Sequence, residues 1–186
     1  MVQTVLYGSI YTTSANPPAE MSLIHREALI KQKINNYGKT GAAEGGITGA
    51  GGFLMSIADF PILIGIKLKL LFEIASLYGF DVRDFRERVY ILHVFQLAFS
   101  SQEGGAKIFK HLENWDQQLL LLPEKPDNFD WLTFQQEYRD YIDLAKLAQL
   151  LPVVGAAVGA IANYQLIKKL GYTAMQAYRM RLLKEK

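Results

Sequence analysis

The spacing of apolar and polar residues predicts α-helices along most of the chain. Apolar residues recur every three to four positions in residues 22–36, 81–100, 131–151 and 172–184, which is the period of a helix with one buried face. Ser22 is the predicted N-cap of the first of these helices. No segment alternates apolar and polar residues for long enough to indicate a β-strand. The pattern therefore predicts an all-α fold, a compact multi-helix bundle.

A continuous apolar stretch at residues 41–80 interrupts this amphipathic pattern. Its first half is rich in glycine, and a carboxylate, Asp59, stands two residues before Pro61. Two interpretations are open. Pro61 either kinks one long helix, or Asp59 caps a new helix with Pro61 in its first turn, where a missing amide hydrogen does no harm. We favour two helices, the second ending at Tyr78 with Gly79 as its C-cap.

Small residues line one side of this apolar stretch. A set of them is spaced four, three, four and three positions apart, which places them along one face of a helix: Gly45, Gly49, Gly52, Ser56 and Asp59. A second apolar stretch, residues 150–167, has a similar face that ends at Asn163. Because small residues let two helix backbones approach closely, we predict that the bundle is built around these two glycine-rich segments. The predicted helix-contact glycines are Gly46, Gly49, Gly52, Gly155 and Gly159.

Asp59 and Asn163 are the polar residues with the most apolar sequence surroundings. With Tyr78 they form a candidate polar core, which has either a structural or a functional role. A carboxylate held in such a place can have a raised pKa and act as an acid or base. Helix capping and a satisfied hydrogen bond in the core explain the same residues without chemistry, and we favour that interpretation. Whether the protein is an enzyme is left open, with the balance against it.

The remaining candidate chemistry is weak. The acidic side chains of Glu137, Asp140 and Asp143 share a predicted helix and would bind a divalent cation if His93 or His111 approached. Arg139 and Lys146 lie on the same helix and neutralise these acids equally well. The three histidines have no zinc-ligand spacing, and the run Gly38-Lys39-Thr40 lacks the earlier glycine of a phosphate-binding loop. No metal or cofactor is predicted.

Composition restricts the class of protein further. With 186 residues, a net charge of +2 and no cysteine, the chain is one domain without a thiol nucleophile or a strong field towards nucleic acid. Residues 1–21 hold a Pro-Pro pair and mixed polar residues, which predicts an irregular N-terminal arm. Residues 22–186 are the predicted helical domain.

Contact with a membrane is left open by three features. The longest purely apolar run, residues 150–162, has 13 residues, whereas a spanning helix needs about 20. A conventional span is therefore not favoured, but both apolar stretches are able to dip into an interface. The basic residues of 168–186 either touch anionic headgroups or form a solvated helix end. The aromatic residues Trp131, Phe134, Tyr138 and Tyr141 suit either a core or a membrane-interface belt.

Three ordered segments carry a resemblance to a known family. They are GGITGAGGFLMSIADFPILIGIKLKLLFEIASLYGFD, FQQEYRDYIDLAKLAQLLPVVGAAVGAIANYQL and AYRMRLL. Over residues 22–183 the chain resembles the EcsC family, most closely the type found in Bacillus-like bacteria. Family members tend to have a longer helical region before the glycine stretch, so we expect a shortened member. The matching positions are Gly46, Gly49, Gly52, Asp59, Pro61, Tyr78, Gly79, Pro152, Gly155, Gly159 and Asn163.

The resemblance implies a mainly helical protein of no settled biochemical activity, and no catalytic role comes with these positions. For the Bacillus-like type it also implies a gene beside the ATPase and permease of an Ecs-type ABC transporter. We therefore expect a non-catalytic, membrane-proximal accessory protein of an export or secretion system. Its expected location is the cytoplasm, either free or peripheral to the inner face of the membrane. Two alternatives are a hydrolase with a buried site centred on Asp59, and a lipid or acyl-chain binding protein.

Overall fold

The computed structural model describes residues 21–123, 126–134, 136 and 156–184, with the backbone alone for residues 44–64, 126, 156, 158 and 159. No β-strand occurs in this described part of the chain, and the predicted all-α fold is confirmed there. Its α-helices are α1 (Leu23–Tyr78), α2 (Phe85–Phe99), α3 (Gln102–Glu113), α4 (Trp115–Leu121) and α5 (Ala156–Lys184). A 3-10 helix (Pro126–Asn128) and helical residues 131–134 lie between α4 and α5.

Helix α1 folds back on itself. Arg26 donates a hydrogen bond to the carbonyl of Tyr78 at 2.9 Å, although the two residues are 52 positions apart. A straight helix would separate them by about 78 Å. Further in, Lys33 pairs with Glu73 at 2.8 Å and Tyr37 bonds the same carboxylate at 2.7 Å. The axis of α1 therefore reverses between its two ends, which form the antiparallel arms of a helical hairpin.

The paired positions are symmetric about residues 52–55. The reversal therefore falls beside Gly51 and Gly52, and glycine pairs are a common cause of sharp bends in helices. The predicted new helix with Asp59 as its N-cap is wrong, because residues 57–63 have helical backbone throughout. Pro61 removes one backbone hydrogen bond, which a helix tolerates with a kink. The predicted end of the first helix at Asn36 is wrong for a similar reason, since the helical backbone continues through Gly38 and Gly41.

Both ends of α1 are capped as the sequence predicts. Ser22 has extended backbone, and its Oγ accepts a hydrogen bond from the amide of His25. At the other end Gly79 has φ 101°, a left-handed conformation that favours glycine. The amides of Gly79 and Phe80 donate to the carbonyls of Ser76 and Ala75, which is the Schellman arrangement.

The core forms where α5 packs against the two arms of α1 and α2 covers them. α2 begins at Phe85 with Asp84 as its N-cap, four residues later than predicted, because Asp81 instead binds Arg83 in the preceding turn. Ser101 is the N-cap of α3, and its Oγ accepts a hydrogen bond from the amide of Gly104. The largest fully buried apolar side chains are Ile30, Ile34, Leu70, Leu71, Phe72, Ile74, Tyr78, Tyr90, Ile91, Leu92, Phe99 and Tyr178.

Helix α5 joins two segments that the sequence pattern separates. It runs without a break from the second glycine-rich stretch to the basic C-terminal segment. Gly171, in its middle, lies against Ile34 of α1, so closely that an added Cβ would overlap that side chain. Glycine is used here for close approach rather than for a turn.

Candidate functional site

Asn163 joins α5 to both arms of the α1 hairpin. Its side-chain amide donates to the carbonyl of Gly41 at 2.6 Å, and its Oδ1 accepts from Lys67 Nζ at 2.9 Å. Asn163 and Lys67 are both about 3% exposed. Gly41 leaves room for this contact, because a Cβ there would meet Ile167 and the Asn163 amide. We call these three residues the hairpin clasp.

At the clasp a small residue of α1, Gly41, faces α5; it is not one of the predicted helix-contact glycines. The close contacts described are made by Gly38 against Tyr164, Gly41 against Ile167, and Gly171 against Ile34. The predicted contacts of Gly46, Gly49, Gly52 and Gly159 involve residues with backbone description only, and Gly155 lies outside the described residues. The side chain of Asp59 is likewise outside the described part, so its predicted meeting with Asn163 remains a prediction.

Tyr78 belongs to a different part of the bundle from Asn163. Its hydroxyl donates to the carbonyl of Met175 at 3.3 Å and lies 3.4 Å from Glu27 Oε1. Met175 follows Asn163 by twelve residues on α5, which is about 18 Å along a helix. Burial, together with the Glu27 carboxylate, raises the pKa of Tyr78. Tyr78 and Asn163 therefore do not share one site.

Glu27 is held by an arginine from α5. Arg179 donates to both of its carboxylate oxygens, at 2.8 and 2.6 Å. These hydrogen bonds lower the pKa of Glu27 despite its partial burial. The bidentate pair fixes the C-terminal half of α5 against the first arm of α1.

A second buried carboxylate, Glu87, lies between α2 and α5. Tyr178 donates to its Oε1 and Arg181 to its Oε2, each at 2.6 Å. The Arg181 guanidinium also stacks over the rings of Phe80 and Tyr90, 4.0 and 4.9 Å from their centroids. Burial and the Glu87 carboxylate raise the pKa of Tyr178 far above its ordinary value. Both oxygens of Glu87 are engaged, which fits a structural ion pair.

His93 and His111 meet at a small cavity that no sequence spacing predicted. Their ring centroids are 4.4 Å apart, and His93 Nδ1 lies 3.2 Å from Gln96 Oε1. The cavity has a volume of about 240 Å³ and is lined mostly by apolar side chains, among them Val89, Leu121, Leu122, Phe129 and Phe134. Burial and the neighbouring His111 lower the pKa of His93 to about 4. His93 is therefore neutral at physiological pH.

The basic C-terminal segment is tied into the bundle at three points. Arg179 and Arg181 form the two ion pairs above, and Lys184 donates to the carbonyl of Glu113. Of these three residues, Arg181 is mostly buried and so does not belong to a solvated end, while Arg179 is partly exposed and Lys184 is exposed. Phe134 is buried and packs with Trp131 and Phe129, so core packing is the role of the two described aromatics. Glu137, Asp140, Asp143, Tyr138 and Tyr141 lie outside the described residues.

Neither a metal site nor a membrane span emerges from the described residues. Within residues 21–123, 126–134, 136 and 156–184, no group of three histidine, aspartate or glutamate side chains is arranged to hold a metal ion. In the same ranges no helix has both the length and the apolar character that crossing a bilayer requires.

The described geometry defines an all-α bundle protein in which a folded-back helix is clasped by a long C-terminal helix. The EcsC protein family matches residues 1–183 of the chain. The match therefore includes the N-terminal arm, residues 1–21, which lies outside the segments that carry the resemblance. Protein EcsC of Bacillus subtilis (strain 168) is 50% identical over 185 residues, which is 100% of this chain and 75% of that protein. The uncharacterized protein YdbA of the same organism is 33% identical over 150 residues, 80% of this chain and 55% of YdbA. No solved structure matches.

The chain belongs to the EcsC protein family, as its glycine-rich segments predicted. It spans three quarters of the length of Protein EcsC and just over half of YdbA.

Proposed function

We propose that the protein is a non-catalytic accessory protein that acts at the membrane surface beside an ABC-type export or secretion system. The observation that carries this proposal is the composition of residues 42–66, the part of the hairpin between Gly41 and Lys67. Residues 42–66 contain two charged residues, Glu44 and Asp59, among 25. The clasp holds the two ends of this segment, at Gly41 and Lys67, against α5.

The non-catalytic part of the proposal is supported by the use of the buried polar groups. Glu87 is engaged by Tyr178 and Arg181, and Asn163 by Lys67 and Gly41. These are the contacts of a scaffold, because each joins α5 to another element of the bundle. The hydrolase alternative grouped Tyr78 or Asn163 around Asp59. Tyr78 contacts Met175, which lies about 18 Å along α5 from Asn163, so the two residues do not belong to one site.

Flotation with liposomes tests the proposal. Vesicles of phosphatidylcholine and phosphatidylglycerol are prepared with and without the reconstituted ATPase and permease of the adjacent transporter. We expect the full chain to float with both kinds of vesicle and to be enriched on those that contain the transporter. Equal amounts on both would contradict the transporter association, and a protein left entirely in the soluble fraction would contradict the membrane location.

A lipid or acyl-chain binding function is the second candidate, and one groove favours it. The groove has a volume of about 700 Å³ and lies between α2, α3 and α5, with Leu97, Phe109, Leu112, Tyr172 and Met180 among its lining residues. Lys169 also lines the groove, and its ammonium group would pair with an anionic lipid headgroup. Native mass spectrometry of the purified protein tests this function. A co-purifying lipid that is lost in Ala177→Trp, a change that fills the groove, is the supporting result, and a spectrum of protein alone contradicts it.

A further inference from the structure

The apolar end of the α1 hairpin has the dimensions of one bilayer leaflet. From Gly41 to the reversal near residues 52–55 each arm has about twelve residues, or about 18 Å of helix. One leaflet of a hydrocarbon core about 30 Å thick is about 15 Å deep. Because the arms of α1 have helical backbone, most amide and carbonyl groups of this segment are hydrogen-bonded within the helix, as a lipid environment demands; Pro61 removes one of these bonds.

Three lysines surround the bundle just on the core side of the hairpin clasp. Lys39 precedes Gly41 by two residues, Lys69 follows Lys67 by two, and Lys168 follows Asn163 by five. Lys168 Nζ lies 5.3 Å from the ring centroid of Tyr164, an amphipathic pair of the kind found at membrane interfaces. Glu73, four residues past Lys69 on the same arm, is paired with Lys33. Lys39, Lys69 and Lys168 therefore form a basic collar at the base of the apolar segment.

The neighbouring part of α5 extends the apolar surface. Ile161, half a turn beyond Asn163, is 65% exposed. Gly65, on the returning arm, has open space where a side chain would stand. Apolar side chains and a ring of lysines at adjacent levels are complementary to acyl chains beneath anionic headgroups.

We propose that residues 42–66 insert into one leaflet of an anionic bilayer as a re-entrant helical hairpin, with the collar of Lys39, Lys69 and Lys168 at the headgroups. The inference deepens the proposed function by naming the membrane-contacting segment and its lipid partner. Glu44 lies one turn past Gly41, at headgroup depth. Asp59 is the one acidic residue placed deeper, so Asp59→Asn should strengthen insertion by several-fold.

The absence of native cysteine permits single-site labelling. An environment-sensitive fluorophore is attached to Phe53→Cys at the reversal, and in a matched control to Ile24→Cys, at an 81% exposed position on the opposite end of α1. With vesicles containing phosphatidylglycerol, the label at position 53 should shift to shorter emission wavelengths and be quenched more by acyl-chain nitroxides than by headgroup nitroxides. The label at position 24 should not change. Met55→Cys replaces Phe53→Cys if the latter loses its helical circular dichroism.

Lys39→Gln, Lys69→Gln and Lys168→Gln should each weaken binding to these vesicles about fivefold, and added salt should reduce the difference. Labels at positions 53 and 55 that both stay in water with bare vesicles would overturn the leaflet proposal. If they become buried only when the transporter is present, the hairpin contacts protein, which overturns this inference and leaves the proposed function intact. Insertion into bare vesicles without enrichment by the transporter supports the inference and contradicts the transporter association.

Discussion

Lys67 Nζ donates a hydrogen bond to Asn163 Oδ1 at 2.9 Å, between residues that lie 96 positions apart in the chain. Since Asn163 also donates to Gly41, a single side chain connects the outgoing arm of α1, the returning arm and α5. Both groups are about 3% exposed, and their hydrogen bond gives the buried ammonium an acceptor and the amide oxygen a charged donor. The clasp thus holds both arms of α1 against α5 at one level of the bundle.

Asn163→Ala should lower the free energy of unfolding by about 1.5–3 kcal/mol, because it removes one hydrogen bond to a charged group and one to a backbone carbonyl. Asn163→Asp should lose less, since its carboxylate still accepts from Lys67 while the donor to Gly41 is gone. Urea denaturation followed by circular dichroism gives the comparison. Tyr164→Phe is the control, because it removes only an exposed hydrogen bond to Asn35 and should change stability by under about 0.5 kcal/mol. An Asn163→Ala protein as stable as the control would show that the clasp is dispensable.

Two glycines inside helices should respond oppositely to alanine. At Gly171 a Cβ would overlap Ile34, so Gly171→Ala should destabilise by about 1–3 kcal/mol through overpacking. At Gly65 no atom lies within 4 Å of the added Cβ, and Gly65→Ala should be neutral or stabilise by up to about 1 kcal/mol through helix propensity. Thermal and urea unfolding of the two variants provide the test. The close approach of α5 to α1 at Gly171 is contradicted if both substitutions stabilise.

Local features of the fold could be read from the sequence, and features that depend on distant contacts could not. Ser22 and Gly79 are caps whose chemistry acts over a few residues, so their residue types identify them. The reversal of α1 has no comparable sequence signal. The helical period of each arm is the same whether the two arms pack side by side or lie apart. Lys67 looks in sequence like a charge that interrupts an apolar face, and only the fold places Asn163 beside it. His93 and His111 come from different helices, so no spacing rule brings them together.

Acid should destabilise the protein through His93. The pKa of His93 is about 4 in the folded protein, whereas an unfolded histidine has a pKa of about 6.5. Below about pH 6.5 His93 is protonated in the unfolded chain but not in the folded chain. The free energy of unfolding therefore falls as the pH decreases towards 4. From pH 8 to pH 5 this one residue should lower the free energy of unfolding by about 2 kcal/mol.

The matched variant is His93→Gln, which lacks the titrating ring. Urea unfolding at several pH values between 8 and 5 should show a smaller loss of stability for His93→Gln than for the wild type, by about 2 kcal/mol across the range. Carboxylates such as Glu27 contribute equally to both proteins and cancel in the difference. If stability falls with pH by the same amount in both proteins, the pKa of His93 is the same in the folded and the unfolded chain, which contradicts the prediction.

The buried pair of Glu87 and Arg181 should behave as a unit. Arg181→Met leaves the Glu87 carboxylate buried, with the Tyr178 hydroxyl still donating to it but without its cation. This change should lower the free energy of unfolding by about 3–5 kcal/mol. Glu87→Met should be similarly harmful, because it leaves the guanidinium without its carboxylate. The double variant should be more stable than the sum of the single effects predicts, since it buries no unpaired charge. Arg83→Met, which removes an exposed pair with Asp81, is the control and should shift stability by under about 1 kcal/mol. A double-mutant cycle measured by urea unfolding decides the question: strictly additive effects would mean that Glu87 and Arg181 stabilise the bundle independently, through their separate packing against Tyr178 and Phe80.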